Sequence, residues 1–227
     1  MSSKTKSMAL ILGSVIIGIT ILLLAVFAGA AWINSNPGCY IYRVSVENLS
    51  QYTGGPVTEI IVPVPMRDGE LVFSEEDLQN GQSGNWKPGI VETTHGSMLV
   101  FRSSGDGNLT DIHAEFFRGF APGEPTVTRI QNESLSPLTS KASGDSEEWK
   151  PDTEYISVVI LPLNLTPLDP DAGEILIDLE LSVSEGLSHS VGGDLFHVNI
   201  LEQIPPEIRG EIPVGAQITK IDPSRRP

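Results

Sequence analysis

Residues 174–184 read Glu-Ile-Leu-Ile-Asp-Leu-Glu-Leu-Ser-Val-Ser. Ile175, Ile177, Leu179, Leu181 and Val183 take alternate positions, Asp178, Glu180, Ser182 and Ser184 fill the places between, and Leu176 is the exception. Side chains of a strand point to opposite faces with a period of two, so this stretch buries one face and offers the other to water. A helix would spread the same residues around its axis. The stretch therefore specifies a half-buried β-strand, the kind found in antiparallel sheets with one solvated face.

The alternation recurs upstream. Tyr40, Tyr42, Val44 and Val46 alternate with Ile41, Arg43, Ser45 and Glu47. Val57–Val64 reads as a strand, and Pro63 and Pro65, which have no ladder hydrogen to donate, place it at an edge or end it there. Asn80–Gly89, which holds Trp86, reads as a Gly-rich loop. Ile90–Thr93 and Ser97–Phe101 pair as a hairpin around Thr94-His95-Gly96. Asp111–Phe117, Thr153–Leu161 and Leu195–Glu202 complete the set. Ser74 caps one helical turn, with Glu75, Glu76 and Asp77 at its positive end. No longer helical pattern follows residue 34. Short strands at intervals of roughly 8–12 residues predict a mainly β, antiparallel β-sandwich over 34–204. Residues 132–150, polar and rich in Ser and Glu, read as a mobile loop. Pro205-Pro206 opens a Pro-rich C-terminal tail, 205–227.

The N-terminal end is of another kind. Met8–Ile33 is apolar apart from Ser14, Thr20 and small residues, and no charge stands between Lys6 and Arg43. As a helix those residues extend roughly 39 Å at 1.5 Å per residue, against about 30 Å for the hydrocarbon core of a bilayer. The run predicts a single transmembrane helix at 8–33 behind a short N-terminus, 1–7. Lys4 and Lys6 keep that N-terminus in the cytoplasm and send residues 34–227 outside. Trp32 suits the headgroup level at the outer end. Ala28-Gly29-Ala30 also has the form of a signal-peptide cleavage site, but the apolar core is longer than the usual 7–15 or so residues. Either outcome exports the domain. Ser14, Gly18, Ala25 and Gly29 fall near one helical face as two small-xxx-small pairs, a candidate surface for homo-oligomerisation within the bilayer.

All 29 acidic residues and 12 of the 14 basic ones follow residue 33, giving the exported part a formal charge of −17. Nucleic acid is excluded as a partner, because phosphate contacts need Lys and Arg. The single cysteine, Cys39, rules out a disulfide framework and is a candidate for an intermolecular bridge. Four sequons make Asn48, Asn108, Asn132 and Asn164 candidate glycosylation sites. Asp106–Asp111 and Asp169–Glu174 resemble fragments of Ca²⁺ loops, although neither alone offers the six to eight or so oxygens Ca²⁺ requires; turn chemistry explains both. His95, His113, His189 and His197 lack zinc spacing, and no nucleophile elbow, dinucleotide or phosphate-loop motif is present.

These residues predict no catalytic, cofactor-binding or metal site. They predict a membrane-anchored extracytoplasmic protein, not an enzyme, with a binding or cell-envelope structural role toward an extracellular protein or glycan. An apolar helix ahead of a β-domain also resembles, in architecture alone, archaeal pilin-like and archaellum subunits. Lys6-Ser7-Met8 departs from a prepilin processing site, and the run lacks the acidic residue of bacterial type IV pilins. A hydrolase whose site assembles only in the fold, for example around His113 and Glu115, is the third reading.

Overall fold

The computed structural model describes residues 19–27, 38–81, 83–104, 108–120, 133–140, 154–185 and 195–221. Residues 19–27 form helix α1. The strands are β1 (Gly38–Glu47), β2 (Tyr52–Thr53), β3 (Val57–Val62), β4 (Val64–Arg67) and β5 (Glu70–Leu71), followed by helix α2 (Glu75–Gln79). Then come β6 (Trp86–Thr93), β7 (Gly96–Ser104), β8 (Ile112–Gly119), β9 (Glu133–Ser136) and β10 (Thr139–Ser140). The chain continues with β11 (Glu154–Leu161), β12 (Thr166–Pro167), β13 (Ile175–Glu185), β14 (Leu195–Ile204) and β15 (Gly210–Ile221).

The protein is mainly β. One large antiparallel sheet runs in the order β6-β7-β3-β11-β15-β14-β13-β1-β8, with β10 added alongside β11. It is a single hydrogen-bonded sheet, coiled until it is nearly barrel-shaped, where the sequence suggested two stacked sheets. Alternation alone cannot separate these outcomes, because both bury every second side chain. The alternation itself is as expected: Tyr40, Tyr42, Val44 and Val46 of β1 and Ile175, Ile177, Leu179, Leu181 and Val183 of β13 are all buried.

Closure rests on specific contacts. The edge strands β6 and β8 do not pair, but each bonds the segment that leads into the other. Trp86, fully buried, donates its indole N–H to the carbonyl of Thr110 at 2.6 Å. The backbone N–H of His113 donates to Ser83 Oγ at 2.7 Å. Helix α2 lies against both edges, capped by Ser74 and Asp77 in a reciprocal capping box. Its Leu78 is buried, and Phe73 just ahead of it tilts on Phe116 of β8 with centroids 6.0 Å apart. Gly81 is required where the chain leaves α2, since a Cβ there would fall 2.1 Å from the Phe116 ring. Across the interior, Tyr42 of β1 donates its hydroxyl to the carbonyl of Pro63 at 2.6 Å. Pro63 does end β3, as read from the sequence, and the chain then leaves the main sheet as β4.

Three sequence expectations change. The tail from Pro205 contains β15, twelve residues in the middle of the sheet, with Ile212, Val214, Ala216 and Ile218 buried. Its Pro213 is tolerated because the β14 ladder ends at Ala216, leaving that stretch paired with β11 alone. In the expected loop 132–150, residues 133–140 form β9 and β10 with Leu135 fully buried; residues 132 and 141–150 lie outside the described set. Within the expected Asn80–Gly89 loop, β6 already begins at Trp86. Among the described residues no helix is long and apolar enough to cross a membrane. Of the apolar run, only 19–27 are described, as helix α1.

Candidate binding site on the outer face of the sheet

The alternation that buries Tyr42 and Val44 turns Arg43 and Ser45 outward. Register then sets their neighbours: Arg43 stands opposite Glu115 on β8 and Glu180 on β13, and Ser45 opposite His113 and Asp178. Arg43 Nε donates to Glu115 Oε2 at 2.7 Å, and Nη1 reaches Glu180 Oε1 at 3.5 Å. These residues, with Val44 and Ala114 at the base, line a shallow depression of about 310 Å³. The hydrogen bond to Glu115 raises the Arg43 pKa above its ordinary value; partial burial opposes this, and the charges of both glutamates add to it. The guanidinium is therefore a fixed cation among three carboxylates, and the depression is net acidic.

Ser45 Oγ lies 3.0 Å from His113 Nδ1 and 3.2 Å from Glu47 Oε1. The histidine tautomer sets the roles: a protonated Nδ1 donates to the hydroxyl and leaves its one hydrogen for Glu47, whereas a bare Nδ1 competes with Glu47 for that hydrogen. Further along the face, Ser182 donates to Glu180 Oε1 at 3.1 Å, and His197 Nε2 stands 3.7 Å from the same oxygen. Asn199 Nδ2 reaches Asp178 Oδ1 at 3.4 Å. Three polar groups thus lie side by side on this face across four strands: Arg43 with Glu115, Glu180, Ser182 and His197; Ser45 with His113 and Glu47; and Asn199 with Asp178. The backbone N–H groups of β1, β13 and β14 are committed to ladders on both sides, whereas β8 is an edge strand paired on one side with β1.

A second polar cluster sits at the pole where β1 ends. The Arg209 guanidinium lies 5.3 Å from the centroid of the Tyr52 ring, with Nε donating to Leu165 O at 2.8 Å and Nη1 to Ile208 O at 2.6 Å. Tyr52 donates to Gly173 O at 2.5 Å. Burial lowers the Arg209 pKa and raises that of Tyr52. This cluster ties the β2 and β12 segments to the turn before β15, which is a structural task.

The sequence-predicted positions are distributed as follows. Asn48, Asn108 and Asn164 are placed in loops, whereas Asn132 lies outside the described residues. Cys39 is half-buried as the second residue of β1, opposite Ser184 and Gly119. Ala25 is exposed on α1; Ser14, Gly18 and Gly29 lie outside the described residues, as does His189. His113 and Glu115 do share the depression, while His95 pairs instead with Glu211, at 3.1 Å. At the second acidic loop, Asp169 Oδ1 accepts the N–H of Asp171 at 2.9 Å, which is turn chemistry. The first acidic loop is only partly described. Among the described residues no three His, Cys, Asp or Glu side chains converge as for a metal ion. Arg43 was not legible as a site residue, because its partners lie 72 and 137 positions away along the chain. The chain matches no protein-family model, no curated protein and no solved structure.

Proposed function

We propose that the chain is a single-pass, membrane-anchored extracytoplasmic protein whose β-domain binds an extracellular protein or glycan, or serves as a structural part of the cell envelope. The observation that carries the reading is the uncharged run Met8–Ile33 behind Lys4 and Lys6. The described part of that run supports it: on α1, Ile21, Leu22, Leu24 and Phe27 are 62–71% exposed, an apolar surface left uncovered by the β-domain. Such a surface is stable only when something apolar covers it, and a bilayer does so. Cell fractionation with protease shaving of intact cells tests the reading. The expected result is a membrane-bound chain whose residues 34–227 are cleaved from outside; recovery of those residues in the cytoplasm overturns it.

Arg43, Glu115, Asp178 and Glu180 are the residues assigned to binding. A fixed cation ringed by acceptors complements hydroxyl-rich or basic groups, which suits a glycan or a basic protein segment. Screening the full chain in detergent against a glycan array tests this. Binding that Arg43→Ala abolishes is the supporting result.

One observation favours a second reading, an anchored hydrolase. Ser45 and His113 are in hydrogen-bond contact within a depression that also holds Glu115. Competition from Glu47 for the Ser45 hydroxyl weakens it, as does the commitment of the β1 N–H groups beside Ser45 to ladders on both sides, where an oxyanion would need them. Esterase, protease and glycosidase screens of wild type against Ser45→Ala discriminate: activity lost in the variant supports the hydrolase, and an inert wild type removes it.

A further inference from the structure

Three of the four sequons come together at one pole of the barrel. β1 runs from Gly38, where the chain arrives from the apolar run, to Glu47, and Asn48 follows at once. Asn48 Nδ2 donates to Glu174 O at 2.8 Å, immediately before β13. Thr53 forms a bridge to Asn108 and pairs with Thr166, two residues beyond Asn164. The opposite pole is marked by Gly38 itself, which pairs with Glu185 at the far end of β13 and accepts the N–H of Phe120 at 2.9 Å. Ten residues of strand separate the poles, roughly 33 Å at about 3.3 Å per residue.

The three sites share one local construction. Each reads Asn-Leu-Ser/Thr: Asn48-Leu49-Ser50, Asn108-Leu109-Thr110 and Asn164-Leu165-Thr166. Each middle leucine is inserted into the core, with Leu49, Leu109 and Leu165 only 0%, 2% and 3% exposed. Ser50, Thr110 and Thr166 are all exposed, as are Asn108 and Asn164, and Asn48 is half-buried. The buried leucine pins the tripeptide to the domain and holds the acceptor and its hydroxyl partner at the surface. Gly55 keeps room beside one acceptor, since a Cβ there would fall 2.5 Å from Asn164 Nδ2.

We infer that Asn48, Asn108 and Asn164 carry N-linked glycans that crown this pole, opposite the point where the chain enters the domain. The inference rests on the extracytoplasmic reading, because transfer takes place on the exported side. The co-reactant is an oligosaccharide joined through its anomeric carbon to a polyprenyl phosphate. The bond from Asn Nδ2 to the anomeric carbon forms and the carbon–oxygen bond to the lipid phosphate breaks. The phosphate leaves with the bonding pair, and the amide releases one proton. One hydrogen remains on Nδ2, enough for Asn48 to keep its bond to Glu174 O.

The test is glycopeptide mass spectrometry on the full chain purified from its native cells, alongside the triple variant Ser50→Ala, Asn108→Gln, Asn164→Gln. Ser50→Ala removes the first sequon without disturbing the Asn48 amide. The expected result is one glycan mass on at least two of the three peptides, absent from the variant. Unmodified peptide at two or more sites overturns the inference. Fractionation of the same sample separates the two readings: a glycosylated chain in the medium with a cleaved N-terminus keeps the glycans and removes the anchor. An anchored but unmodified chain does the reverse.

Discussion

The two sides of the barrel are joined by very different amounts of ladder. β1 and β13 pair through ten consecutive positions, from Gly38–Glu185 to Glu47–Leu176. β3 and β11 meet at the single pair Ile61–Ile160. Pro63 cuts β3 short, and β4 departs to pair with β9. The space left along β11 is taken by β10, through Thr139–Ile156 and Ser140–Tyr155. Ser157 of β11 donates to Pro137 O just ahead of it, and Thr139 Oγ1 donates to Ile156 O at 3.2 Å. Leu135, fully buried, anchors the whole segment. The long ladder is thus held by backbone repetition, whereas the seam is held by one buried leucine, a few side-chain bonds and the Tyr42–Pro63 contact. A sheet can close without a continuous ladder provided side chains satisfy the groups that the missing partners leave open.

That contrast can be broken most severely by opening a cavity on each side. Leu179→Ala in the long ladder and Leu135→Ala in the seam should each destabilise by about 2–5 kcal/mol, read from urea unfolding. Were 133–140 a surface loop, the second change would cost no more than about 0.5 kcal/mol. Hydrogen exchange sharpens the comparison: Leu135→Ala should raise exchange selectively in β3, β6 and β7, and Leu179→Ala should raise it across the sheet.

Tyr42→Phe comes next. It strands a buried carbonyl at Pro63 and should cost about 1–3 kcal/mol. The same residue sets an alkaline limit. Burial pushes the Tyr42 pKa far above its ordinary 10.0, so the folded state keeps the phenol neutral while the unfolded chain ionises. The stabilisation is complete below pH 10.0 and is lost as the pH rises beyond it. The slope should be about 1.4 kcal/mol per pH unit for one such group, and Tyr42→Phe should remove it. Absorbance titration of the phenolate, paired with circular dichroism, measures both. The smallest effect belongs to the outer face: Arg43→Ala should change stability by about 0–1 kcal/mol, because its ion pairs are half exposed. A larger loss would mean that these ion pairs hold the sheet together and are not available to a ligand.

Legibility in the sequence followed the number of alternating apolar residues per strand. β1 and β13 carry four and five such residues in strict alternation and were read with correct faces. β15 has the same alternation in Ile212, Val214, Ala216 and Ile218, but Pro213 and Gly215 interrupt it with turn residues, and its position after Pro205-Pro206 suggested a tail. Counting inward positions without regard to the intervening Pro and Gly would have found it. β9 offered no such signal, since Leu135 is the only large apolar residue in Glu133–Ser136. The Trp86 position was obscured by the glycines around it, although its indole N–H closes the barrel.

The sequence by itself determined the class and the faces of the long strands only through local rules: period-two alternation, proline at strand ends and the Ser74 cap. It also supplied the uncharged N-terminal run on which the anchored reading stands. Tertiary structure alone decided that the long strands form one nearly closed sheet, that β15 occupies its centre and that β9 and β10 stitch the seam. It also decided that Arg43, Glu115 and Glu180 are neighbours and that three Asn-Leu-Ser/Thr segments share a pole. The physical reason is that a residue's face depends on its own strand, whereas its neighbours depend on strand order. That order is set by long-range pairing and closure across the whole barrel, and no window of sequence contains it.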